Sequence, residues 1–202
     1  MEDATGLPFW PLDPRPEEVR IEAIAHQLGN LCRFNGACKV FYSVAQHSVL
    51  VSYLVSKRYA LAGLLHDAAE AYLGDVIRPL KRFLEVKVTG PRALHDSFGA
   101  RESDCWLTIM EALADPDDYG AEIEHVDVAM LATEGRDLMP SGGRHWSLPT
   151  GGAPIAGVTI RPTVGIWGVG MLRQNCDDIR VECWPPPVAA AVFLDRYREL
   201  AQ

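Results

Sequence analysis

The sequence lacks several features that would mark a secreted, membrane-spanning or metal-thiolate protein. Its five cysteines include no CxxC pair, so neither a zinc–thiolate site nor a redox site is predicted, and we expect reduced, structural thiols. No window approaches the roughly 18 apolar residues of a membrane-spanning helix. The first residues, Met1-Glu2-Asp3, lack the basic region and apolar core of a secretory signal. We therefore expect a cytoplasmic protein with no membrane partner.

The sequence also lacks a run of five or six basic residues, and its formal net charge is -8. Such a surface repels polyanions, so we expect no nucleic-acid polymer as a partner. A small anionic substrate remains compatible, because a bound divalent cation dominates the field around it. Hydrophobic residues make up 48% of the 202 residues, an ordinary globular fraction, and we expect one domain over residues 1–202.

Apolar residues recur at three- and four-residue spacing in five stretches, which predicts a helical protein. The first predicted helix follows residue 17 and ends between residues 30 and 35, and the second begins after the N-cap Ser43. The third is predicted as one helix from about residue 59 to residue 73, closed by Gly74. Two more helices are predicted at residues 101–114 and 121–138.

The two ends of the chain differ from this helical pattern. Residues 1–16 contain four prolines and the pair Phe9-Trp10, which predicts an extended lead-in that packs by its aromatics. Residues 140–185 are rich in glycine and proline and include β-branched stretches, which predicts an irregular or β-hairpin insertion. Residues 186–202 are predicted to form a closing helix. The expected fold class is all-α, a helical bundle with a small insertion near the C-terminus.

The adjacent pair His66-Asp67 is the most informative feature of the third predicted helix. It follows an apolar run at residues 60–65, so an imidazole and a carboxylate are predicted to be buried together. Burial of an ionised carboxylate is costly unless it is paired or binds a metal, and both side chains suit borderline divalent ions. A second pair, His95-Asp96, lies in a polar stretch and is interpreted as a surface pair.

Two further polar residues, His47 and Asp127, also interrupt apolar helical runs. Taken singly, His47 is better explained as a core histidine bonded to a carbonyl, and Asp127 as a solvated helix residue. Together with His66-Asp67 they supply side chains from three helices, which can converge on one cation in a helical bundle. This predicts a divalent metal site, with Mn, Co, Zn, Fe, Ni and Mg all open as the ion.

The order His, His-Asp, Asp resembles that of the HD-domain metal-dependent phosphohydrolase superfamily. The resemblance covers about residues 6–140 and the last helix, and its most similar segments are Arg33-Phe34, FYSVAQHS at residues 41–48, HDAAEAYLGD at 66–75 and LATEGRDL at 131–138. The pattern HDxxExxxGD with an upstream arginine–aromatic pair is similar to bacterial 5′-deoxynucleotidases and to small phage deoxynucleoside triphosphohydrolases of the dATP triphosphohydrolase type. It implies an HD-domain helical bundle.

The resemblance also implies roles for individual residues. It implies four metal ligands: His47, His66, Asp67 and Asp127. It assigns the handling of protons or of the attacking water to Glu70 and Asp75. Spacing agrees for Glu70, which follows His66 by four residues and would share its helix face. Asp75, just past Gly74, would reach the site from the helix end.

Substrate contacts are predicted for Arg33, Phe34 and Lys81. The planar guanidinium of Arg33 suits phosphate oxygens, and the resemblance implies that it holds a phosphate, although an arginine at a helix end also serves as a dipole partner. Phe34 would exclude or sense a sugar hydroxyl. Lys81 is a second phosphate candidate, balanced against a solvated loop cation. Packing of a small satellite core is favoured over stacking on a base for three tryptophans: Trp146, Trp167 and Trp184.

The expected function is release of phosphate from deoxynucleoside 5′-monophosphates. The first alternative is a triphosphohydrolase that releases tripolyphosphate from a deoxynucleoside triphosphate such as dATP. A second alternative, from another class, is a catalytically silent nucleotide-binding protein, although the intact Glu70 and Asp75 argue against it. A third is an enzyme acting on a cyclic or signalling nucleotide. The resemblance leaves a homo-oligomer open.

Overall fold

The computed structural model describes residues 1–89, 94–115, 117, 119–148, 152–165 and 179–202. Within them, the α-helices are α1 (Ile21–Asn30), α2 (Val44–Leu54), α3 (Ala60–Leu65), α4 (Glu70–Leu73), α5 (Arg78–Lys81), α6 (Phe98–Leu113), α7 (Ala121–Leu138) and α8 (Pro186–Leu200). None of these helices is long and apolar enough to cross a membrane. The strands in the same residues are β1 (Glu85–Val88), β2 (Leu94–Ser97), β3 (Val158–Val164) and β4 (Ile179–Cys183).

Helix α2 lies at the centre of the fold. Nine of its eleven residues are buried, as expected for a helix that is covered on all sides, and it packs against α1, α3, α7 and α8. The predicted N-cap is confirmed, because the Ser43 hydroxyl accepts a hydrogen bond from the Gln46 N–H at 3.1 Å. A polar side chain on this helix, such as His47, is therefore removed from water by the fold itself.

Helices α1 and α8 approach each other closely at Gly29. A Cβ atom at this position would lie 2.9 Å from the Cβ of Ala190 and 2.9 Å from the carbonyl oxygen of Pro186. Glycine is required here because it has no Cβ. The predicted closing helix is confirmed as α8, which buries Ala189 and Phe193 in the core.

The prediction of one continuous helix from residue 59 to residue 73 is wrong at its centre. Helix α3 ends at Leu65, a turn covers residues 66–69, and α4 begins at Glu70. In this turn the N–H groups of Ala68 and Glu70 donate to the carbonyls three residues back, those of Leu65 and Asp67, at 3.0 Å each. Three-residue spacing is tighter than that of an α-helix. The pair His66-Asp67 therefore lies on a tight turn between two short helices.

The expected all-α class is wrong, because the chain also forms two small sheets and is mixed α/β with helices predominating. Strands β1 and β2 pair antiparallel, with Glu85 opposite Ser97. Strands β3 and β4 pair in parallel, with Val158 opposite Ile179. The β3–β4 pair is not the predicted hairpin, since a hairpin joins antiparallel strands. The β-branched residues that prompted the hairpin do form β3, but their partner lies much later in the chain.

The predicted insertion belongs to the main core, and the satellite core was a wrong expectation for Trp184. Val158, Ile160 and Trp184 are at most 1% exposed and join the same buried cluster as the helices. Arg136 of α7 ties this region down by donating to the Val158 carbonyl at 2.6 Å. Trp167 and residue 166 of the second β-branched stretch lie outside the described residues.

The N-terminal lead-in packs through one of its two aromatic residues. Phe9 is fully buried and stacks on Tyr72 with ring centroids 3.6 Å apart, whereas Trp10 is 51% exposed. Asp3 anchors the segment: its buried carboxylate accepts hydrogen bonds from the Thr5 N–H at 2.8 Å and from Arg20 at 2.9 Å. The extended lead-in is thus fixed to the body of the protein at two points.

The expectation of reduced thiols holds for the cysteines that the structure describes. These are free: Cys32, Cys38, Cys105 and Cys183. Burial, the largest cause, raises the pKa of the Cys38, Cys105 and Cys183 thiols to about 12. Such thiols stay protonated at neutral pH and are poor nucleophiles. Cys176 lies outside the described residues.

Candidate metal centre

Three parts of the fold bring the four predicted metal ligands together. His47 projects from the buried helix α2, and its side chain is fully buried. His66 and Asp67 lie on the turn after α3, with side chains 5% and 21% exposed. Asp127 lies in the second turn of α7, with a side chain 17% exposed. The two carboxylates thus retain some contact with solvent, while the two imidazoles form the floor of the site.

The ligand atoms of these side chains surround one point. The Nε2 atom of His47 lies 3.2 Å from Nε2 of His66, 3.6 Å from Oδ2 of Asp67 and 3.3 Å from Oδ1 of Asp127. The Nε2 atom of His66 lies 3.3 Å from the same oxygen of Asp67 and 3.9 Å from that of Asp127. His47, His66 and Asp67 form a group that can hold a metal ion, and Asp127 reaches both imidazoles of that group.

Both imidazoles are held with Nε2 facing the shared point, because each Nδ1 has its own acceptor. Nδ1 of His47 lies 2.6 Å from Oε1 of Glu134, and Nδ1 of His66 donates to the carbonyl oxygen of Gly63 at 2.8 Å. Such contacts to the second nitrogen fix the tautomer and orientation of metal-binding histidines. In neutral rings both Nε2 atoms therefore present lone pairs.

The two carboxylates are held in a comparable way by arginines. Nη1 of Arg33 lies 3.4 Å from Oδ2 of Asp67. Nη2 of Arg78 lies 2.7 Å from Oδ2 of Asp127, which leaves the other oxygen of Asp127 for the two imidazoles. Each of the four side chains thus has a neighbouring partner, although Arg33 contacts the same oxygen of Asp67 that faces the two imidazoles.

This arrangement requires a positive charge at its centre. Two neutral rings would place lone pair against lone pair at 3.2 Å, so either a proton or a metal ion must lie between them. Burial and Arg33 lower the pKa of His47, but the carboxylates of Glu134 and Asp127 outweigh both and raise it to about 9. The carboxylates that raise this pKa would also stabilise a divalent cation at the shared point.

The carboxylates of the site are held ionised despite burial. Burial raises the pKa of Asp67, but His66, His47 and Arg33 outweigh it and hold the pKa well below its usual range. Burial also raises the pKa of Asp127, and the hydrogen bond and charge of His47 lower it to about 2. Ionised carboxylate and imidazole donors together suit borderline divalent ions, so the residues present fit such a metal.

Glu134 is a residue of the site for which the sequence leaves two interpretations open, an ion pair with an arginine and a catalytic role. Its side chain is fully buried, and its Oε1 accepts from the Tyr42 hydroxyl at 2.9 Å as well as contacting His47. Its Oε2 lies 3.1 Å from Nη2 of Arg33. Burial raises the pKa of Glu134, but Arg33, His47 and Tyr42 lower it overall. The one sequence signal was its heptad spacing from Asp127, which places both on one face of α7.

The two predicted catalytic carboxylates, Glu70 and Asp75, lie beside the metal ligands. Glu70 begins α4 after the turn, so it does not share a regular helix face with His66 as predicted, yet it lines the same cavities as Asp67. Burial, followed by the charges of Asp67 and Asp75, raises the pKa of Glu70 well above its usual value. Its Oε2 is buried with no hydrogen-bond partner among the described residues. Burial likewise raises the pKa of Asp75.

Two cavities meet at the site. The smaller, of about 300 Å³, is lined by His66, Asp67, Glu70, Lys81 and Tyr119 among others. The larger, of about 640 Å³, is lined by Asp67, Glu70 and Asp127 and by further charged and apolar side chains. Small-molecule sites occupy roughly 300–1,000 Å³, so the larger cavity has room for a nucleotide.

The structure places the predicted substrate-binding residues at the larger cavity. Arg33, Phe34 and Lys81 all line it. Arg33 is buried, with Nε 3.2 Å from Glu134. Phe34 has a φ of 56°, a conformation that residues other than glycine rarely adopt. Lys81 is paired with Glu102 at 2.8 Å and lies 4.0 Å from Glu70, so it is not the freely solvated cation of the alternative interpretation.

The second His-Asp pair lies on the surface, as predicted. His95 and Asp96 belong to β2, with side chains 63% and 36% exposed. His95 contacts Glu85 at 2.9 Å, and Asp96 pairs with Arg101 at 2.9 Å. Neither belongs to the metal group of the other pair.

Comparison with known proteins gives this chain a family. It is 34% identical over 175 residues to a protein of Escherichia coli K12 named "Uncharacterized protein YfdR", a match that covers 87% of this chain and 92% of that protein. The chain belongs to the YfdR family. It is also 41% identical over 102 residues to an uncharacterized protein of Rhodobacter capsulatus, which covers 44% of this chain and 52% of that one. No family model matches the chain. The match to YfdR extends over nearly the whole length of both chains, but neither relative's name states an activity.

Proposed function

We propose that this protein is a metal-dependent phosphohydrolase that releases phosphate from deoxynucleoside 5′-monophosphates. One observation carries the proposal: two Nε2 atoms and two carboxylate oxygens converge on one point at the edge of a 640 Å³ cavity. The resemblance of the sequence to HD-domain phosphohydrolases supports the same reaction. His47, His66, Asp67 and Asp127 would hold the ion.

A divalent cation bound there would lower the pKa of water and offset negative charge that develops on the phosphoryl group. Glu70 supplies the proton chemistry. Burial and the charges of Asp67 and Asp75 raise its pKa, so Glu70 holds a proton more readily than an exposed carboxylate does, which suits a general acid or base. Glu70 lines the smaller cavity together with Asp67, and its buried Oε2 has no hydrogen-bond partner among the described residues. Asp75 lines the same cavity and can relay the proton.

Electrostatic balance favours a monophosphate substrate. The larger cavity is lined by four basic side chains, Arg33, Arg78, Lys81 and Arg82, and by four carboxylates, Asp67, Glu70, Asp75 and Asp127. Counted with every group ionised, these formal charges cancel, and one divalent cation then balances a phosphate monoester, which carries about -1.5 to -2 at pH 7. Phe34, next to Arg33 on this wall, supports discrimination at the sugar.

A second candidate is hydrolysis of a deoxynucleoside triphosphate. It is favoured by helix α5 and the residue after it, which place Arg78, Lys81 and Arg82 on the cavity within five residues. Both Arg78 and Lys81 are paired with carboxylates in this structure, so a longer phosphate chain would have to displace Asp127 and Glu102. This competition makes the triphosphate the second choice.

A product-resolved assay tests the proposal. Purified protein would be supplied with Mn²⁺ or Co²⁺ and each of the mono-, di- and triphosphates of the four deoxynucleosides. We expect inorganic phosphate from a monophosphate, and loss of at least 100-fold in kcat for Glu70→Gln. Because proton transfer contributes roughly 10² to 10⁴ in rate, a smaller loss would remove Glu70 from the chemistry.

The other outcomes are also informative. Release of tripolyphosphate would support the second candidate. Ligand-dependent stabilisation by a deoxynucleotide without turnover in any metal would support a silent nucleotide-binding protein. The absence of both turnover and binding would reject a nucleotide site altogether.

A further inference from the structure

The larger cavity has an apolar wall in addition to the charged side chains of the metal centre. Its members are half-buried and come from the loop after α1, from α7 and from the segment after α7: Phe34, Leu131, Met139, Trp146 and Leu148. A phosphate group gains nothing from such a wall. The flat, weakly polar part of a ligand does, so the wall marks the place of a second chemical group.

Along helix α7 the residues that line the cavity change from charged to apolar. Asp127 and Leu131 both line the cavity and lie one turn apart, and Met139 follows at the end of the helix. At 1.5 Å per residue, the wall changes from carboxylate to apolar within roughly 6 Å of Asp127. Beyond Leu131 it continues with Met139, Trp146 and Leu148, and the polar residues His145 and Ser147 flank Trp146. A ligand whose phosphate lies at the metal centre would therefore place its other end against Leu131, Met139 and Trp146.

Two glycines position Trp146 on this helix. A Cβ atom at Gly135 would lie 2.7 Å from Cζ3 of the Trp146 ring, so only glycine lets the indole lie against α7. Gly143 has a φ of 73°, and a Cβ added there would be 3.3 Å from the carbonyl carbon of Gly135, so the segment after α7 folds directly back onto the helix. The position of Trp146 thus depends on close backbone contacts at Gly135 and Gly143 that residues with a Cβ atom would hinder.

The ring of Phe34, a residue far from Trp146 in sequence, lies beside the Trp146 ring. The two ring centroids are 5.4 Å apart, with an angle of 38° between the planes. Phe34 holds its place through a left-handed backbone conformation, directly after Arg33, which contacts Asp67 of the metal centre. Uncommon backbone conformations of this kind persist where the surrounding structure enforces them, often at ligand sites. The aromatic pair is therefore tied to the metal centre by adjacent residues.

We infer that Trp146, which lies beyond the sugar contact proposed for Phe34, is the contact surface for the aromatic base of the substrate and determines that a nucleotide is preferred over a simple sugar phosphate. The inference rests on the proposed function, because it places the phosphate at the metal centre. Every nucleobase has a π-face, so an indole accepts bases by stacking without reading their hydrogen-bonding edges. The expected consequence is a strong preference for a base with weak discrimination among bases.

The test compares a deoxynucleoside 5′-monophosphate with 2-deoxyribose 5-phosphate, which has the same sugar and phosphate but no base. For Trp146→Ala we expect KM for the nucleotide to rise roughly 10- to 100-fold with kcat changed less than threefold, because stacking binds the base without touching the reacting phosphate. Kinetics with the base-free substrate should stay unchanged. Trp146→Phe should restore most of the nucleotide affinity, and Trp10→Ala, which alters an exposed tryptophan, should match the wild type.

Several results would overturn the inference. Equal effects of Trp146→Ala on both substrates would assign Trp146 to packing, as would a wild type that does not prefer the nucleotide. If the wild type hydrolyses neither compound, the proposed function fails, and calorimetric binding of the nucleotide then decides: binding that Trp146→Ala weakens tenfold or more retains the base platform. Equal binding by both proteins, or none by the wild type, rejects it.

Discussion

Glu134 is a fully buried carboxylate that contacts three other groups, those of Tyr42, His47 and Arg33. It fixes the ring of one candidate metal ligand and neutralises the arginine that contacts another. A buried arginine of this kind is tolerated only because it is paired. At the scale of residues, the centre therefore depends on side chains behind the ligands as much as on the ligands.

Glu134→Gln should lower the free energy of unfolding by about 3 kcal/mol, because it leaves the Arg33 guanidinium buried without its main carboxylate partner. Tyr42→Phe, which removes one hydrogen bond to the same carboxylate, should cost only about 1 kcal/mol. Urea denaturation of metal-free protein measures both. A cost for Glu134→Gln no greater than that for Tyr42→Phe would mean that Arg33 does not depend on Glu134.

Arg78→Ala should weaken metal binding about tenfold, because Arg78 orients Asp127 by holding its second oxygen. Arg101→Ala provides a matched control, since Arg101 also pairs with an aspartate, Asp96, but away from the centre. Calorimetric titration with Mn²⁺ in the absence of substrate measures both affinities. Equal affinities for the two variants would show that Asp127 needs no such partner.

At the scale of elements, the sequence predicted most helices well and the turn at the centre of the site poorly. The ends of α7 and the N-cap of α2 follow from local signals, namely apolar spacing and a capping serine. The interruption of the third helix at residues 66–69 has no such signal, because Ala68 and Ala69 favour a continuous helix. The position of Asp67 against Arg33 and the two histidines outweighs that local preference.

The strands also show how little local sequence patterns say about contacts between separate segments. Strand β1 has only four residues, too few for a confident strand prediction, although Val86 and Val88 alternate with charged residues and Gly90-Pro91 before β2 is a turn signal. The partner of β3 is a distant parallel strand, and parallel pairing depends on contacts that local patterns do not encode. That His66-Asp67 is the more buried of the two His-Asp pairs could be predicted, because apolar residues precede it in sequence, whereas His95-Asp96 lies in a polar stretch.

The contact between α1 and α8 gives a test at this scale. Gly29→Ala should lower the free energy of unfolding by about 1–3 kcal/mol, because its Cβ would overlap Ala190 and the Pro186 carbonyl. Gly99→Ala in α6 is the control: nothing lies within 4 Å of its Cβ, so it should be neutral or stabilise by up to about 1 kcal/mol. Urea denaturation that finds the two variants equal would contradict the close approach of these helices.

At the scale of the whole molecule, one hydrophobic cluster includes residues from Phe9 to Phe193 and contains Leu65 and Ala68, which flank the candidate ligands His66 and Asp67 in sequence. The first segment and the last helix both pack on this cluster, so the site is supported by residues from both ends of the sequence. The contact of Arg78 with Asp127 joins residues far apart in sequence, so it could not be predicted, whereas an ion pair of Glu134 with an arginine was one of two interpretations open from its spacing.

The buried carboxyl of Asp3, which anchors the N-terminal segment, makes the free energy of unfolding depend on pH. Burial raises the pKa of Asp3, but hydrogen bonds from Thr5, Arg20 and Leu7 lower it overall from 3.8. A carboxyl with a lowered folded pKa contributes stability above its unfolded pKa, and that contribution is lost as pH falls through the folded value. Asp3→Asn should therefore destabilise the protein at pH 7 and progressively less below about pH 3.8. Urea denaturation across this range measures the difference, and a constant difference would contradict the anchor.

Metal binding by the whole protein tests the central claim most directly. Metal-stripped wild type, His66→Ala and His95→Ala would be titrated calorimetrically with Co²⁺. We predict one site per chain in the wild type and in His95→Ala, and loss of at least 100-fold in affinity in His66→Ala, because Nε2 of His66 lies at the shared point and His95 lies on the surface. Absence of binding in the wild type, or equal binding by the two variants, would contradict a metal centre at His47, His66, Asp67 and Asp127.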